Sequence, residues 1–199
     1  MILHKEESQM GNQVREEYRM LSTEDLLQKV YDLGVAYERN SFSCSQSTVA
    51  ALYRVLDFPD VLVKASCSNA GGTALQIIGT CGGLVGGIMV LDYFFGRPFK
   101  YMSDTEFIQD PNIKALFVAQ PIAKALCDKY VNEYGTITCA NIQRQLYGRF
   151  FSLEDEDEFR KLNEAGGHSN PEKCPRIVGN AARWTMEILI DNGGVKIGK

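Results

Sequence analysis

Six cysteines are the residues in this chain whose type and placement could do chemistry. They form no C-x-x-C pair, no C-x-x-C-H and no ferredoxin spacing, so neither a thioredoxin-type motif nor covalent c-type haem is indicated. Their positions against the helical pattern say more. Cys44 stands at the expected start of one helix (SFSCSQS), Cys81 at or near the start of another (GTCGGLVGG) and Cys139 at a third, just after a glycine turn (GTITCAN). Cys174 precedes Pro175 and is placed as the N-cap of the last helix. A helix N-terminus offers free N–H groups and partial positive charge, which favour thiolate for metal ligation or exchange. Four such thiols could serve one centre if their helices converge; otherwise they are small buried hydrophobes.

The remaining two cysteines divide. Cys127 lies on the apolar face of the strongest helical pattern and reads as core. Cys67 lies in a loop-like CSNAGG stretch, where a reactive or ligating thiol can sit.

The glycines point the same way. Gly82, Gly83, Gly86 and Gly87 in one helix each cost about 1 kcal/mol of helix propensity against alanine. Such a helix gains close approach of another backbone or of a cofactor. Gly71-Gly72 reads as a tight turn beside the same region.

The elements that must position these residues are helical almost throughout. One helix opens near Thr23 with Glu24 and Asp25 in its first turn, and a second runs from Ser43–Cys44 past Val49, Leu52 and Val55. Phe58-Pro59-Asp60 breaks the pattern, and a short helix to Ala65 follows. Gly79 to Phe95 reads as a glycine-rich apolar helix. Asn112 to Tyr134 is the clearest amphipathic one, kinked or restarted at Pro121 and closed by Gly135. Shorter helices are expected from Cys139 to Leu146 and after a Ser152 cap, and a last long one from Cys174. The fold class is therefore all-α, a compact irregular bundle of about six to eight helices. Residues 1–20 read as a flexible N-terminal extension, 21–192 as a single domain and 193–199 as a tail.

Hydrophobic residues make up 45% of the 199 and charged residues 23%, an ordinary globular balance. The net charge of −4 gives no basic face for nucleic acid and no attraction to an anionic membrane. The longest uncharged apolar stretch, Ile77 to Leu91, is glycine-rich and shorter than the roughly 20 residues of a membrane span. Met1 to Leu21 lacks the apolar run of a secretory signal, so the expectation is a cytoplasmic protein with reduced thiols.

Several segments together resemble the redox-active family named for its C, GCAxxG, C, C pattern. Cys81-Gly82-Gly83-Leu84-Val85-Gly86 resembles the C-G-A-x-x-G core, with Gly83 where alanine is usual. Cys44-Ser45-Gln46-Ser47 resembles the upstream cysteine helix start, and Gly71-Gly72 the glycine-rich turn before the core. Gly135-Thr136-Ile137-Thr138-Cys139 and Cys174-Pro175 resemble the two later elements. The resemblance implies that Cys44, Cys81, Cys139 and Cys174 are ligands or redox thiols, with Cys67 a substitute or extra ligand. It also implies cofactor contacts at Gly71, Gly72, Gly82, Gly83 and Gly86. A similar module in split-Soret cytochromes accompanies haem with a non-haem iron–sulfur centre; the haem part does not carry over, because this chain lacks C-x-x-C-H.

Four functions remain open at this point. An iron–sulfur or other metal-thiolate protein for electron transfer or redox sensing needs four cysteines converging. A structural zinc module usually draws on close cysteine pairs, which are absent. A metal-free thiol–disulfide protein needs a pair such as Cys44 and Cys81 within reach. A scaffold needs none of these. His4 and His168 read as surface residues, and Arg144, Arg149, Arg176 and Arg183 as solvent-facing ion-pair partners, with Arg176 close to any group bound at Cys174. A redox partner protein is implied, and the Tyr93-Phe94-Phe95 end of the glycine helix suggests a homodimer.

Overall fold

The structure, a computed structural model, describes residues 13–105 and 110–197. His4, most of the expected N-terminal extension and the last two residues of the tail lie outside the described residues. Eight α-helices follow one another: α1 (Thr23–Ser41), α2 (Cys44–Val55), α3 (Val61–Ala65), α4 (Gly82–Phe95), α5 (Asp110–Tyr134), α6 (Cys139–Tyr147), α7 (Glu156–Glu164) and α8 (Cys174–Asp191). No strand occurs among the described residues; two isolated antiparallel bridges, Val14 with Leu56 and Thr80 with Thr138, are the only extended pairings there. No described helix is long and apolar enough to cross a membrane.

Local chemistry accounts for most helix ends. The Ser22 hydroxyl oxygen accepts the Asp25 N–H at 3.1 Å, capping α1 with Glu24 and Asp25 in the first turn. Asp155, not Ser152, caps α7, its Oδ1 accepting the Glu158 N–H at 3.0 Å. Gly135 takes a left-handed φ of +64° after α5, as a helix-ending glycine should. Helix α5 passes through Pro121 as one element and starts earlier than expected, with Pro111 in its first turn, where no intrahelical N–H is needed.

The core forms where α2, α4, α5 and α8 meet. Leu52, Leu84, Leu91, Leu126, Tyr130, Met186 and Leu189 are fully buried there. Helix α1 lies along α8, and the crossing is glycine against glycine: a Cβ on Gly34 would stand 3.0 Å from the Gly179 Cα. A smaller cluster of Ile77, Ala140, Phe151, Leu153 and Leu162 packs under α6 and α7.

The expectation of a loosely tied start is corrected for residues 13–20. Val14 is buried, and the Arg15 N–H donates to the Val55 carbonyl at 2.9 Å, so this segment is pinned to the end of α2. Residues 193–197 are tied as well, with Val195 buried and its N–H donating to the Leu189 carbonyl.

Candidate functional site

Backbone pairing far apart in sequence brings two cysteines together. Around the Thr80–Thr138 bridge, the Cys81 N–H donates to the Ile137 carbonyl at 2.8 Å, and the Cys139 N–H donates to the Gly79 carbonyl at 2.9 Å. Each paired segment runs straight into a helix, with Cys81 as the N-cap of α4 and Cys139 as the first residue of α6. This pairing is why α4 starts at Gly82 rather than at the expected Gly79: residues 79–81 spend their backbone groups on the partner segment.

Two further helix starts complete the group. Cys44 opens α2, and its sulfur lies over α4 so closely that a Cβ on Gly82 would stand 2.3 Å from it. Cys174 is the first residue of α8, one position inside the expected N-cap, and its sulfur is 3.5 Å from the Tyr147 hydroxyl. All four cysteines line one cavity of about 60 Å³, together with Glu38 and His168. Apolar side chains, including Leu75, Ile142, Leu162 and Ile177, make most of the remaining wall.

The electrostatics differ from the expectation of ready thiolates. Burial raises the pKa of every one of the four thiols, and that of Cys174 reaches about 12. At Cys81 the Gly83 and Leu84 N–H groups of the helix start pull the other way, but desolvation outweighs them. The negative charge of Glu38 acts on all four thiols in the raising direction. The four are free and neutral at pH 7 in this state.

One wall of the cavity is strained. From Gly71 to Leu75 five consecutive residues have φ between +48° and +75°, and Ile77 has +63°. The Ile77 N–H donates to the Gly71 carbonyl and the Gly79 N–H to the Gly72 carbonyl, closing a left-handed loop. Each non-glycine residue held this way costs about 1–2 kcal/mol. The Gly71-Gly72 turn is legible in the sequence; its continuation through Thr73, Ala74 and Leu75 is not. Such strain concentrates at functional sites.

The expected cofactor glycines separate by role. Gly71 lines the cavity, and its backbone acts on the Cys44 sulfur. Gly82 makes room for that sulfur. Gly72, Gly83 and Gly86 do not line the cavity and instead serve packing: a Cβ would meet the Ile77 backbone, the Tyr130 hydroxyl and the Ser45 carbonyl oxygen, respectively. Cys67 is exposed on a short 3-10 turn and is not among the residues lining the cavity. Cys127 packs against the core, as its helix face implied.

Two residues that sequence reasoning treated otherwise belong to the site. His168 is buried rather than superficial, with its ring 4.5 Å from that of Phe42. Glu38 went unremarked, yet it continues the buried stripe Leu27, Val30, Gly34 of α1. A carboxylate on an apolar stripe was the signal. Arg176 pairs with Glu133 and Glu172 at the surface, Arg149 with Glu158, and Arg183 with Glu24 and Glu187. Arg144 bonds to Asn141 rather than to an acid.

The sequence pattern of the family described as "Putative redox-active protein (C_GCAxxG_C_C)" matches residues 42–188. The chain belongs to this family. All four cysteines that line the cavity fall within the matched span, and Glu38 falls just before it. No curated protein and no solved structure matches the chain. For this C_GCAxxG_C_C protein the redox-active character is that of the family, and the cavity is where four cysteines of the matched span meet.

Proposed function

We propose that the cavity is the redox centre and that Cys44, Cys81, Cys139 and Cys174 hold an iron–sulfur cluster or another metal-thiolate group, for electron transfer or redox sensing. The observation that carries this reading is the convergence of four cysteines, from four separate helix starts, on one largely apolar cavity. The donor set fits by chemistry, since soft thiolates suit iron–sulfur clusters and thiophilic metals. When bound, such a group supplies one-electron chemistry and the positive charge that favours thiolate.

The residues of the chain do the rest. Each of the four thiols must release its proton to bind, so loading is coupled to pH. No three His, Cys, Asp or Glu side chains among the described residues are set as a metal-ligating group, so binding draws the sulfurs from their present places. The apolar wall restricts solvent, which tunes a bound centre's potential.

Anaerobic purification followed by iron, zinc and acid-labile sulfide analysis with a visible spectrum tests the reading. Brown protein with iron and sulfide, lost in Cys81→Ser and Cys174→Ser, supports it. Colourless, metal-free protein after anaerobic reconstitution sinks it. A redox partner protein, a reducing cytoplasmic setting and a homodimer through the Tyr93 end of α4 belong to the same proposal; light scattering at about twice 22.2 kDa would support the dimer.

A second reading follows from the neutral state of the thiols and from Cys81, which acts electrostatically on Cys44, Cys139 and Cys174 alike. Two of these thiols would form a disulfide, losing two protons and two electrons to an external small-molecule disulfide that becomes two thiols. Thiol counts before and after such oxidation, in metal-free protein, separate the two readings.

A further inference from the structure

The cavity holds a buried carboxylate that the four-cysteine reading leaves without a task. Glu38 is 2% exposed, and its Oε2 has no hydrogen-bond partner. Burying an unpaired carboxylate is expensive, and burial raises this one to about 7. A group kept there at such cost needs an explanation in what it faces.

On one side it faces a fixed backstop. The His168 Nδ1 lies 2.7 Å from the Asn163 Oδ1, which as a carbonyl oxygen accepts the Nδ1–H. The other ring nitrogen, Nε2, then points to the Glu38 Oε1 at 3.8 Å. The rings of Phe42 and Phe159 flank the imidazole at 4.5 and 5.9 Å. This Asn163–His168–Glu38 order is the kind of outer partnership that orients a metal-binding group. On its other side Glu38 shares the lining of one cavity with the four cysteines. The Ser47 hydroxyl is close enough to act on the carboxylate, and the rest of the cavity wall is largely apolar.

We infer that Glu38 is a fifth donor of this cavity, a carboxylate ligand to a borderline divalent cation held by the thiols, with His168 as its positioning residue. The inference rests on the metal reading above and narrows it. A mixed sulfur and oxygen set suits iron(II), zinc(II) or cobalt(II), whereas an all-sulfur set equally accepts softer copper(I). It also places a working residue on α1, outside the span that the family pattern matches.

Cobalt(II) is the probe, titrated anaerobically into the full-length metal-free protein. The readouts are the dissociation constant by chelator competition, the sulfur-to-cobalt charge-transfer band and the d–d bands. Glu38→Gln should bind cobalt at least about ten-fold more weakly and shift the d–d bands while keeping the charge-transfer band. Glu38→Asp should recover part of the affinity, and His168→Gln should weaken binding less, with the wild-type bands. Glu38→Gln matching wild type in affinity and bands, while Cys81→Ser loses the charge-transfer band, overturns the inference and leaves the four-thiol reading standing. Wild-type protein with no charge-transfer band also overturns the inference, and the iron and sulfide analysis above then decides the cluster reading by itself. Circular dichroism of each variant confirms the fold, and Glu38→Gln keeps the side chain's shape.

Discussion

The Tyr130 hydroxyl occupies the space in which a Gly83 side chain would begin, 2.8 Å from the position of its Cβ. Where the C-G-A-x-x-G core that this segment resembles has alanine, the space is taken by a tyrosine on α5. That tyrosine is fully buried between Tyr134 and Trp184, and its hydroxyl has no nitrogen or oxygen partner. It acts on the Cys81 thiol instead.

Restoring the alanine should therefore cost stability. Gly83→Ala gains about 1 kcal/mol of helix propensity, but the rigid phenol cannot move aside, and overpacking costs about 1–3 kcal/mol. Tyr130→Phe should be neutral or stabilising, because it removes a buried hydroxyl without an oxygen or nitrogen partner. In Gly83→Ala/Tyr130→Phe most of the loss should return. Urea unfolding of the four proteins checks this as a double-mutant cycle; additive effects would show that the two positions do not meet.

Gly82→Ala should be worse. Its Cβ would meet the Cys44 sulfur at 2.3 Å and the Asn69 carbonyl oxygen at 2.8 Å, the second a backbone atom with little freedom. We expect a loss of about 3 kcal/mol or more and faster alkylation of Cys44 in what remains folded. Peptide mapping after a short iodoacetamide pulse reads both the site and the rate.

Thiol accessibility should single out Cys67. It is exposed, while the four cavity cysteines are neutral thiols inside an apolar wall. A thiol-reactive dye added to native metal-free protein should label Cys67 first, the partly exposed Cys44, Cys139 and Cys174 more slowly because their pKa values are raised, and buried Cys81 only on unfolding. Cys67→Ser should remove the fast phase and leave metal content unchanged; lost metal would return Cys67 to the ligand set.

The left-handed wall should respond to glycine. Thr73 is β-branched at φ +71°, so Thr73→Gly should stabilise by about 1 kcal/mol. Gly72→Ala should destabilise, since its Cβ would meet the Ile77 backbone at 2.7 Å. Thermal melts of both variants decide whether the loop holds this conformation in solution.

Stability of the metal-free protein should fall as pH rises from about 5 to 8. Glu38 has a folded pKa of about 7 against an ordinary value of 4.5. Over that window the native state holds more protons than the unfolded state, so raising the pH destabilises it, by up to about 3 kcal/mol. The titratable groups facing Glu38 are His168, Tyr147 and the four thiols. Burial raises the phenol and the thiols, which stay neutral throughout. Burial lowers His168, which acts in the opposite sense: its contribution is lost as pH falls below 6.5. Urea midpoints of wild type and Glu38→Gln across this range should diverge in favour of glutamine as pH rises; a constant gap would contradict a buried neutral acid.

Helix-forming pattern and capping chemistry act over a few residues, so they are legible without the fold. The stretches now seen as α2, α5, α6 and α8 could each be read from apolar spacing, and each of the four cavity cysteines from its place at a helix start. Boundaries slipped where a distant segment intervened, as at Gly79–Cys81, whose partners lie at 137–139. His168 reads as a surface residue because its loop composition is polar; only packing against Phe42 and Phe159 buries it.

The sequence by itself determined an all-α chain with four cysteines at helix N-termini, one helix made thin by glycine and a family pattern running through them. Whether those cysteines meet depends on contacts between residues 38 to 145 positions apart. Those contacts are the Thr80–Thr138 bridge, the Cys44 sulfur over Gly82 and the Gly34–Gly179 crossing. The tertiary structure alone decided that they do, that the thiols are held neutral and that Glu38 and His168 share their cavity. The physical reason is desolvation: it overrules the local pull of a helix start on a thiol, and it is set by which chain segments close over the site.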